Sequence, residues 1–330
     1  MYKFEEGMKI YAQLAAQATG KPVDSLLVED ANKIIGELLD NPSPENMYQI
    51  AQLIAFTLTE MQQSSNAWLS AIADEKSIPL SGRAQFNVPM RGIRAFIQAR
   101  GATTQRSRVT GRSVTIDTVA VSARPAVNVL ELRAGTKDFS ALLREANTEM
   151  TNAKMGYIQA VLRAALSNFG ADYYGSGAGV VQSVLDPMVL RARRSGGAAL
   201  LGDIAIIEKV APLTGFSYNT NDKQYSNEAV TQFDRTGTVG FYKGATVSSF
   251  TNPYLPDGET VVDPGLMFIL PVGLTPDMRN LKVVNQGDVM AFESTNIDDL
   301  TYEVRLDQHF GAAVVIGDNP SIMVYEDTSL

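Results

Sequence analysis

From Asp138 to about Phe169, apolar side chains recur every three or four positions: Phe139, Leu142, Leu143, Ala146, Met150, Ala153, Tyr157, Val161, Ala165 and Phe169. That spacing predicts one helix, a rod of roughly 48 Å at ~1.5 Å per residue. Gly170 stands where such a helix would stop. Residues 1–80 also read as helical. Met8, Tyr11, Leu14, Ala15 and Ala18 form a first helix, ended by Gly20 and Pro22. Asp24 can cap a second, through Val28, Ile34, Ile35, Leu38 and Leu39. After the break at Asn41-Pro42-Ser43-Pro44, Met47, Ile50, Leu53, Ile54, Leu58 and Met61 predict a third, running toward Trp68 and Leu69.

Between these helical stretches the period changes to two. Ile93, Ala95, Ile97 and Ala99 alternate with Arg94, Phe96, Gln98 and Arg100, as in a half-buried strand. A polar tip runs from Gly101 to Gly111, and Val114, Ile116, Val119 and Val121 lead back. The parity of the apolar positions switches between Ile116 and Val119, which predicts a bulge. Beyond the long helix, Gly175-Ser-Gly177-Ala-Gly179 reads as a hinge or turn, and residues 184–215 as partly helical (184–194 and 202–210). Residues 216–330 are strand and turn, with β-rich stretches at 236–249, 261–270, 282–284, 301–306 and 312–316. Helices before strands, without βαβ alternation, predict an α+β fold.

Composition narrows the function. The 330 residues are 45% hydrophobic, enough for about two domains. There is no cysteine, hence no disulfide or thiolate metal site, and the single histidine, His309, excludes a site built from several imidazoles. No run of ~18 apolar residues is present to span a membrane, and the opening MYKFEEGMKI carries acids where a secretory signal is basic. The expectation is a soluble, cytoplasmic product without a cofactor or metal.

The formal charge of −8 is unevenly spread: residues 1–80 carry −6, residues 83–133 carry +7 and residues 134–330 carry −9. The positive stretch holds nine arginines (Arg83, Arg91, Arg94, Arg100, Arg106, Arg108, Arg112, Arg124 and Arg133) and no lysine. A lone two-stranded ribbon is marginal in water, so it needs a surface to lie on, and its charge asks for an acidic one. The acidic remainder of the same chain, present on every copy, is that partner. Arg94, Arg100, Arg106, Arg108 and Arg112 are the candidate contacts between subunits, because planar guanidinium forks suit bidentate carboxylate pairing. Two other roles stay open for them: protection of a strand edge and neutralisation of phosphates.

Candidate chemistry is thin. His309 has no G-x-S-x-G elbow to make a triad, so a structural role is favoured. The acids Asp257, Glu259, Asp263, Asp298 and Asp299 read as solvated turn residues rather than a glycosidase pair, and the 257–263 loop lacks the ligand pattern of a calcium loop. The glycines at 175–179 lack dinucleotide-fingerprint spacing, and Arg191, Arg193 and Arg194 suit a helix C-terminus. No catalytic residue is predicted. A carboxylate-dependent hydrolase would require a closed pocket of convergent acids, and a nucleic-acid binder acting through the hairpin would weaken steeply with salt.

The order of these elements resembles the major capsid protein of tailed bacteriophages, with the Hong Kong 97 type fold, over nearly the whole chain. Three stretches carry the resemblance. One is the hairpin passing through Ala126-Val-Asn-Val-Leu-Glu-Leu-Arg133 into the long helix; another is Gly237-Thr-Val-Gly240-Phe-Tyr-Lys-Gly244-Ala-Thr-Val247 with Asn252-Pro253. The last runs from Tyr302-Glu-Val-Arg-Leu306 to Val324. The resemblance implies a helical N-terminal arm at 1–82, an extended β-hairpin loop at 83–133 lying on a neighbour, and a peripheral domain with its spine helix at 134–182. It further implies an axial domain at 183–300 and a C-terminal return to the peripheral domain at 301–330. The implied function is self-assembly, through hexamers and pentamers, into the icosahedral shell of a phage head. That shell, a virion capsid assembled in the host cytoplasm, would touch packaged double-stranded DNA weakly and non-specifically. Portal, scaffold and decoration proteins are further candidate partners. An encapsulin-like nanocompartment shell is the alternative within the fold. Some capsids weld their shells through a lysine on the extended loop; residues 83–133 have none. The sequence opens at Met1 with no sign of a removed scaffold segment.

Overall fold

Two β-hairpin strands of unusual length organise the chain. In the computed structural model, β12 (Leu281–Asn296) and β13 (Thr301–Val314) pair antiparallel, from Leu281 opposite Val314 to Asn296 opposite Thr301. The structure describes residues 38, 43–64, 69, 72–90, 107, 110–128, 131, 139–217, 238–250, 252–255, 257–296, 301–316 and 322–330. The first two predicted helices, apart from Leu38, therefore lie outside the described residues, as does Trp68.

The third predicted helix is observed as α1 (Pro44–Ser64), and the Ser43 hydroxyl accepts from the Asn46 amide 3.2 Å away at its start. The chain then runs as β1 (Ala73–Ile78), parallel to β12. Next come β2 (Gln85–Met90) and β3 (Thr110–Thr115), an antiparallel pair of their own. β4 (Val119–Ala123) and β5 (Ala126–Asn128) follow, both paired with β13. One five-stranded sheet thus has the order β1-β12-β13-β4, with β5 also on β13.

The long predicted helix is α2 (Phe139–Asn168), closed by Gly170 at φ +86°. Its buried face (Leu143, Ala146, Met150, Ile158, Leu162 and Leu166) packs with α1 onto one face of that sheet, against Val283, Leu306, Phe310 and Ala312. Each such side chain contributes on the order of 1.5–3 kcal/mol on burial.

A second, seven-stranded sheet has the order β6-β14-β11-β7-β10-β9-β8. Its strands are β6 (Tyr174–Gly177), β7 (Gly197–Gly202), β8 (Phe216–Ser217), β9 (Thr238–Tyr242), β10 (Ala245–Ser249), β11 (Leu266–Val272) and β14 (Met323–Asp327). α3 (Gln182–Arg194) and α4 (Ile204–Glu208) cover one face, where Met188, Val189, Leu200, Val247, Met267 and Ile269 form a second core. The alternate residues of β11, Leu266, Phe268 and Leu270, join the core built on α2. β11 is therefore apolar along its length because it is covered on both faces.

Three expectations change. The parity switch between Ile116 and Val119 is not a bulge: the chain leaves the β2–β3 ribbon there and enters the body sheet as β4, so the side-chain phase resets. Residues 119–128 thus belong to the subunit's own body rather than to a projecting arm. The glycines at 175–179 are no free joint. β6 lies beside β14, and a Cβ at Gly175 or Gly177 would fall within 3 Å of Val184, Val181 or Tyr325. The Gly179 amide donates to the buried Asp327 carboxylate at 2.7 Å. Burial opposes the charge of that carboxylate, but hydrogen bonds from Lys209, Ser329 and Gly179 hold it well below the usual range. Finally, the separate short strands expected near 282–284, 301–306 and 312–316 are parts of β12 and β13.

Lys154 projects from α2 into the core, 3% exposed, and donates to the Gln308 side chain on β13 at 2.6 Å. Burial pulls its ammonium down to about 8, against a weaker opposing pull from Glu75. In the unfolded chain a lysine titrates near 10.4. Between those values the unfolded state binds more protons, so this residue's contribution to stability rises with pH across that window and is lost below it. Wild-type stability, measured against Lys154→Met by denaturant titration at pH 7 and pH 10, is expected to gain on the variant by up to about 3 kcal/mol. Parallel pH profiles would remove the effect.

Candidate assembly surface

The face of the five-stranded sheet opposite α2 carries the root of the arginine ribbon. Strand alternation sends Val283 toward the helices and Val284 the other way, where it meets Ala84, Phe86 and Ile116 in a separate core flanked by Ile78 and Ala313. Phe86 is fully buried, with the Lys76 ammonium 4.4 Å and the Lys282 ammonium 5.6 Å from its ring centroid. Lys282, itself buried, donates to Asp74 at 2.7 Å and to the Asp277 carbonyl at 2.9 Å. A buried ammonium is tolerable because carboxylate, carbonyl and ring all face it.

Both legs of the ribbon are held by one side chain. Gln286 on β12 donates to the carbonyls of Leu80 at 2.8 Å and Gly82 at 3.0 Å, just before β2. Its carbonyl oxygen accepts from the Thr118 hydroxyl at 2.6 Å, just after β3. The crossover at 116–118 passes so close to β13 that a Cβ at Gly311 would sit 2.6 Å from the Asp117 carbonyl oxygen. The root of the ribbon is therefore held in a packed and hydrogen-bonded socket.

Of the candidate contacts, Arg112 lies on β3 opposite Val88 and is exposed, as is Arg83 at the entry to the ribbon. Arg94, Arg100, Arg106 and Arg108 lie outside the described residues. Arg124 pairs with Glu303 of its own chain. It belongs to the body sheet, not to the free-standing charge. His309 sits within β13 between Gln286 and Ala120, consistent with a structural histidine. Asp257 and Asp263 accept from the backbone amides of Glu259 and Gly265, as turn acids do. Asp298 and Asp299 lie outside the described residues. Arg191 pairs with Asp172, and Arg193 donates to the Lys243 carbonyl at the end of α3. Among the described residues no group of three His, Asp or Glu side chains is arranged to hold a metal, and no helix is long and apolar enough to cross a membrane. The socket itself was missed from sequence. Its signal, a lysine and a glutamine inside a strand that also carries Val283 and Val284, reads as surface unless the ribbon is known to cover it.

Over residues 6–324 the sequence matches a family described as "SPbeta prophage-derived putative capsid protein YonB". No curated protein matches it. Among solved structures, the head of Helicobacter pylori bacteriophage KHP40 aligns with a TM-score of 0.51 at 10% identity, covering 78% of this chain and 87% of that one. A chain of Microbacterium phage Oxtober96 gives 0.49 at 11% identity, covering 79% and 90%. The virus-like particle from Pyrococcus furiosus gives 0.46 at 13% identity, covering 84% and 99%. The KHP40 likeness is one of fold, of the Hong Kong 97 type.

The Asp74–Lys282 pair gives the socket a measurable signature. Lys282→Met alone strands a buried carboxylate and is expected to cost about 3–5 kcal/mol of subunit stability. The double variant Asp74→Leu/Lys282→Met is expected to recover most of that loss in chemical denaturation. Additive losses in the double variant would show that the pair is not coupled.

Proposed function

The chain belongs to the SPbeta prophage-derived capsid protein family, and from that membership we propose that it builds the icosahedral head shell around the double-stranded DNA of a tailed phage, without catalysis. It is a capsid protein, and its place is the virion capsid. In this reading hexamers and pentamers form in the host cytoplasm. The helical arm expected at 1–82 ends before α1, because α1 packs in the body and 73–78 form strand β1 of its sheet, and the ribbon within 83–133 acts as extended loop. The spine helix and the five-stranded sheet act as the peripheral domain and the seven-stranded sheet as the axial domain, so the bounds expected at 134–182, 183–300 and 301–330 shift: β12 joins the peripheral sheet, and β6 and β14 join the axial one. Portal, scaffold and decoration proteins are the further partners.

One observation carries the reading: a packed socket grips both ends of an arginine-rich segment whose charge is opposite to that of the rest of the chain. Residues 83–112 hold seven arginines and no acid. The subunit's core does not need that charge, whereas a stable interface of ~1,600 Å² gains area and orientation from it. The acidic remainder also suits a DNA container, since a strongly basic lining would hold a genome by many phosphate contacts.

The purified chain is expected to sediment as capsomers or particles at micromolar concentration. Arg106→Glu with Arg108→Glu is expected to lower the assembled fraction while leaving the unfolding midpoint of the unassembled subunit in place. Particle yield equal to that of the wild type would take the ribbon out of the interface.

A further inference from the structure

Each of the two body sheets has two ends, and three of those four ends are guarded or short. β1 carries Asp74, Glu75 and Lys76, and the Arg279 guanidinium donates to its Ala73 carbonyl at 2.8 Å. β6 has four residues, two of them glycine, and β8 has two. β4 differs from all of these. It stands at the end of the five-stranded sheet beyond β13, and among the described residues no strand lies on its outer side. Its residues, Val119-Ala-Val-Ser-Ala123, carry no charge. Arg124, which follows, is paired with Glu303 of its own chain. Pro125 then ends the strand, having no amide hydrogen to donate.

An open strand edge presents amide and carbonyl groups with nothing to bond, and proteins ordinarily guard it with charge or a bulge. β4 has neither: its register with β13 is unbroken from Val119 opposite Phe310 to Ala123 opposite Leu306. Val119, Val121 and Ala123 share the face that packs on the α2 core, yet Val119 is 42% exposed. Ala120 and Ser122 lie on the other face and are exposed.

We propose that this edge pairs antiparallel with the same edge of a second copy, about a two-fold axis at Val121, so that two five-stranded sheets become one. The proposal rests on the shell reading and goes beyond it by naming a contact between like surfaces. The edge is complementary to itself. With Val121 opposite its own copy, Val119 of one strand meets Ala123 of the other on the helix side, which covers the exposed valine. Ala120 meets Ser122 on the far side, and Arg124 falls opposite Thr118, so no like charges face each other. Size sets the role of the contact. Five residues a side bury far less than the ~1,600 Å² of an ordinary stable pair. Two free subunits therefore gain little from it, whereas rings that present several such edges at once add the contacts together.

The test places charge on the exposed far side of the edge. Ala120→Lys/Ser122→Lys sets lysine against lysine across the axis, and Ala120→Glu/Ser122→Lys sets glutamate against lysine. Within the subunit Ser122 lies opposite Asp307, which keeps its pairing with Arg305 when the hydroxyl is lost. Particle fraction is read by sedimentation and negative-stain microscopy, and subunit unfolding by denaturant titration. The lysine double is expected to lose about tenfold in particle fraction and the mixed double to assemble within about twofold of the wild type. Both are expected to unfold at the wild-type midpoint. If both assemble like the wild type, if both fail alike, or if the lysine double loses assembly only as far as it loses folding, the edge does not pair with itself and the shell reading stands. A wild-type chain that forms nothing larger than a monomer defeats the shell reading, and this inference with it.

Discussion

Both faces of the β12–β13 hairpin are occupied over its first half, around Leu281–Val284, and the rest of the molecule depends on that double burial. Helices α1 and α2 cover one face through Leu281, Val283, Leu306 and Phe310, and the ribbon root covers the other through Val284 and Phe86. A sheet buried on one side could have turned its second face to water. Here the second face is used to grip two crossing legs of chain, so a ribbon too small to be stable alone starts from a fixed direction. α2 extends the same logic. It packs on the five-stranded sheet and reaches the core shared with Leu266, Phe268 and Val324 of the seven-stranded one, so the two sheets are tied by one rod.

Polar groups inside this frame select geometry more than they add stability. Replacing a buried ion pair by well-packed apolar residues is often neutral or stabilising, so Asp74–Lys282 is not what holds the fold together. The apolar clusters do that, at about 25 cal/mol per Å² buried. What the pair and Gln286 do is exclude alternatives. A slip of one residue in the β1–β12 register would point Lys282 into the α1–α2 core and leave Asp74 without its cation. Lys154 with Gln308 plays the same part between α2 and β13, at the cost of a lysine that burial makes easier to deprotonate.

The same facts explain what the sequence could and could not announce. α1 and α2 were legible as helices because each buries one stripe against a flat sheet. In the second half of α2, however, the predicted stripe from Ala153 to Phe169 misses the buried one, which is Lys154, Met155, Ile158, Leu162 and Leu166. β12 and β13 were legible only in fragments. Asn285, Gln286 and Gly287 interrupt the apolar text of one, and Asp307, Gln308 and His309 that of the other. Gln286, Asn285, Gln308 and Asp307 are polar because they bond to the ribbon legs, to Glu75, to Lys154 and to Arg305, partners distant in sequence except Arg305. The glycines at 175–179 looked like a hinge because glycine text alone does not distinguish mobility from close packing under Tyr325. The ribbon's charge was plain from counting arginines.

Charge, finally, is divided along this chain in a way that suits contact between copies. If the arginine ribbon of one subunit lies on an acidic surface of the next, every such contact joins unlike surfaces, and the interface is heterologous. Such contacts propagate until rotation closes them into a ring, and a shell is assembled from rings. A self-complementary patch would stop at a dimer. The rigidity of the socket then matters more than the strength of any single arginine contact. Exposed ion pairs are each worth about 0–1 kcal/mol, too little to set the angle between neighbours. The angle must come from the body, and the body supplies it by clamping both legs of the ribbon with Gln286 and closing the gap over Gly311.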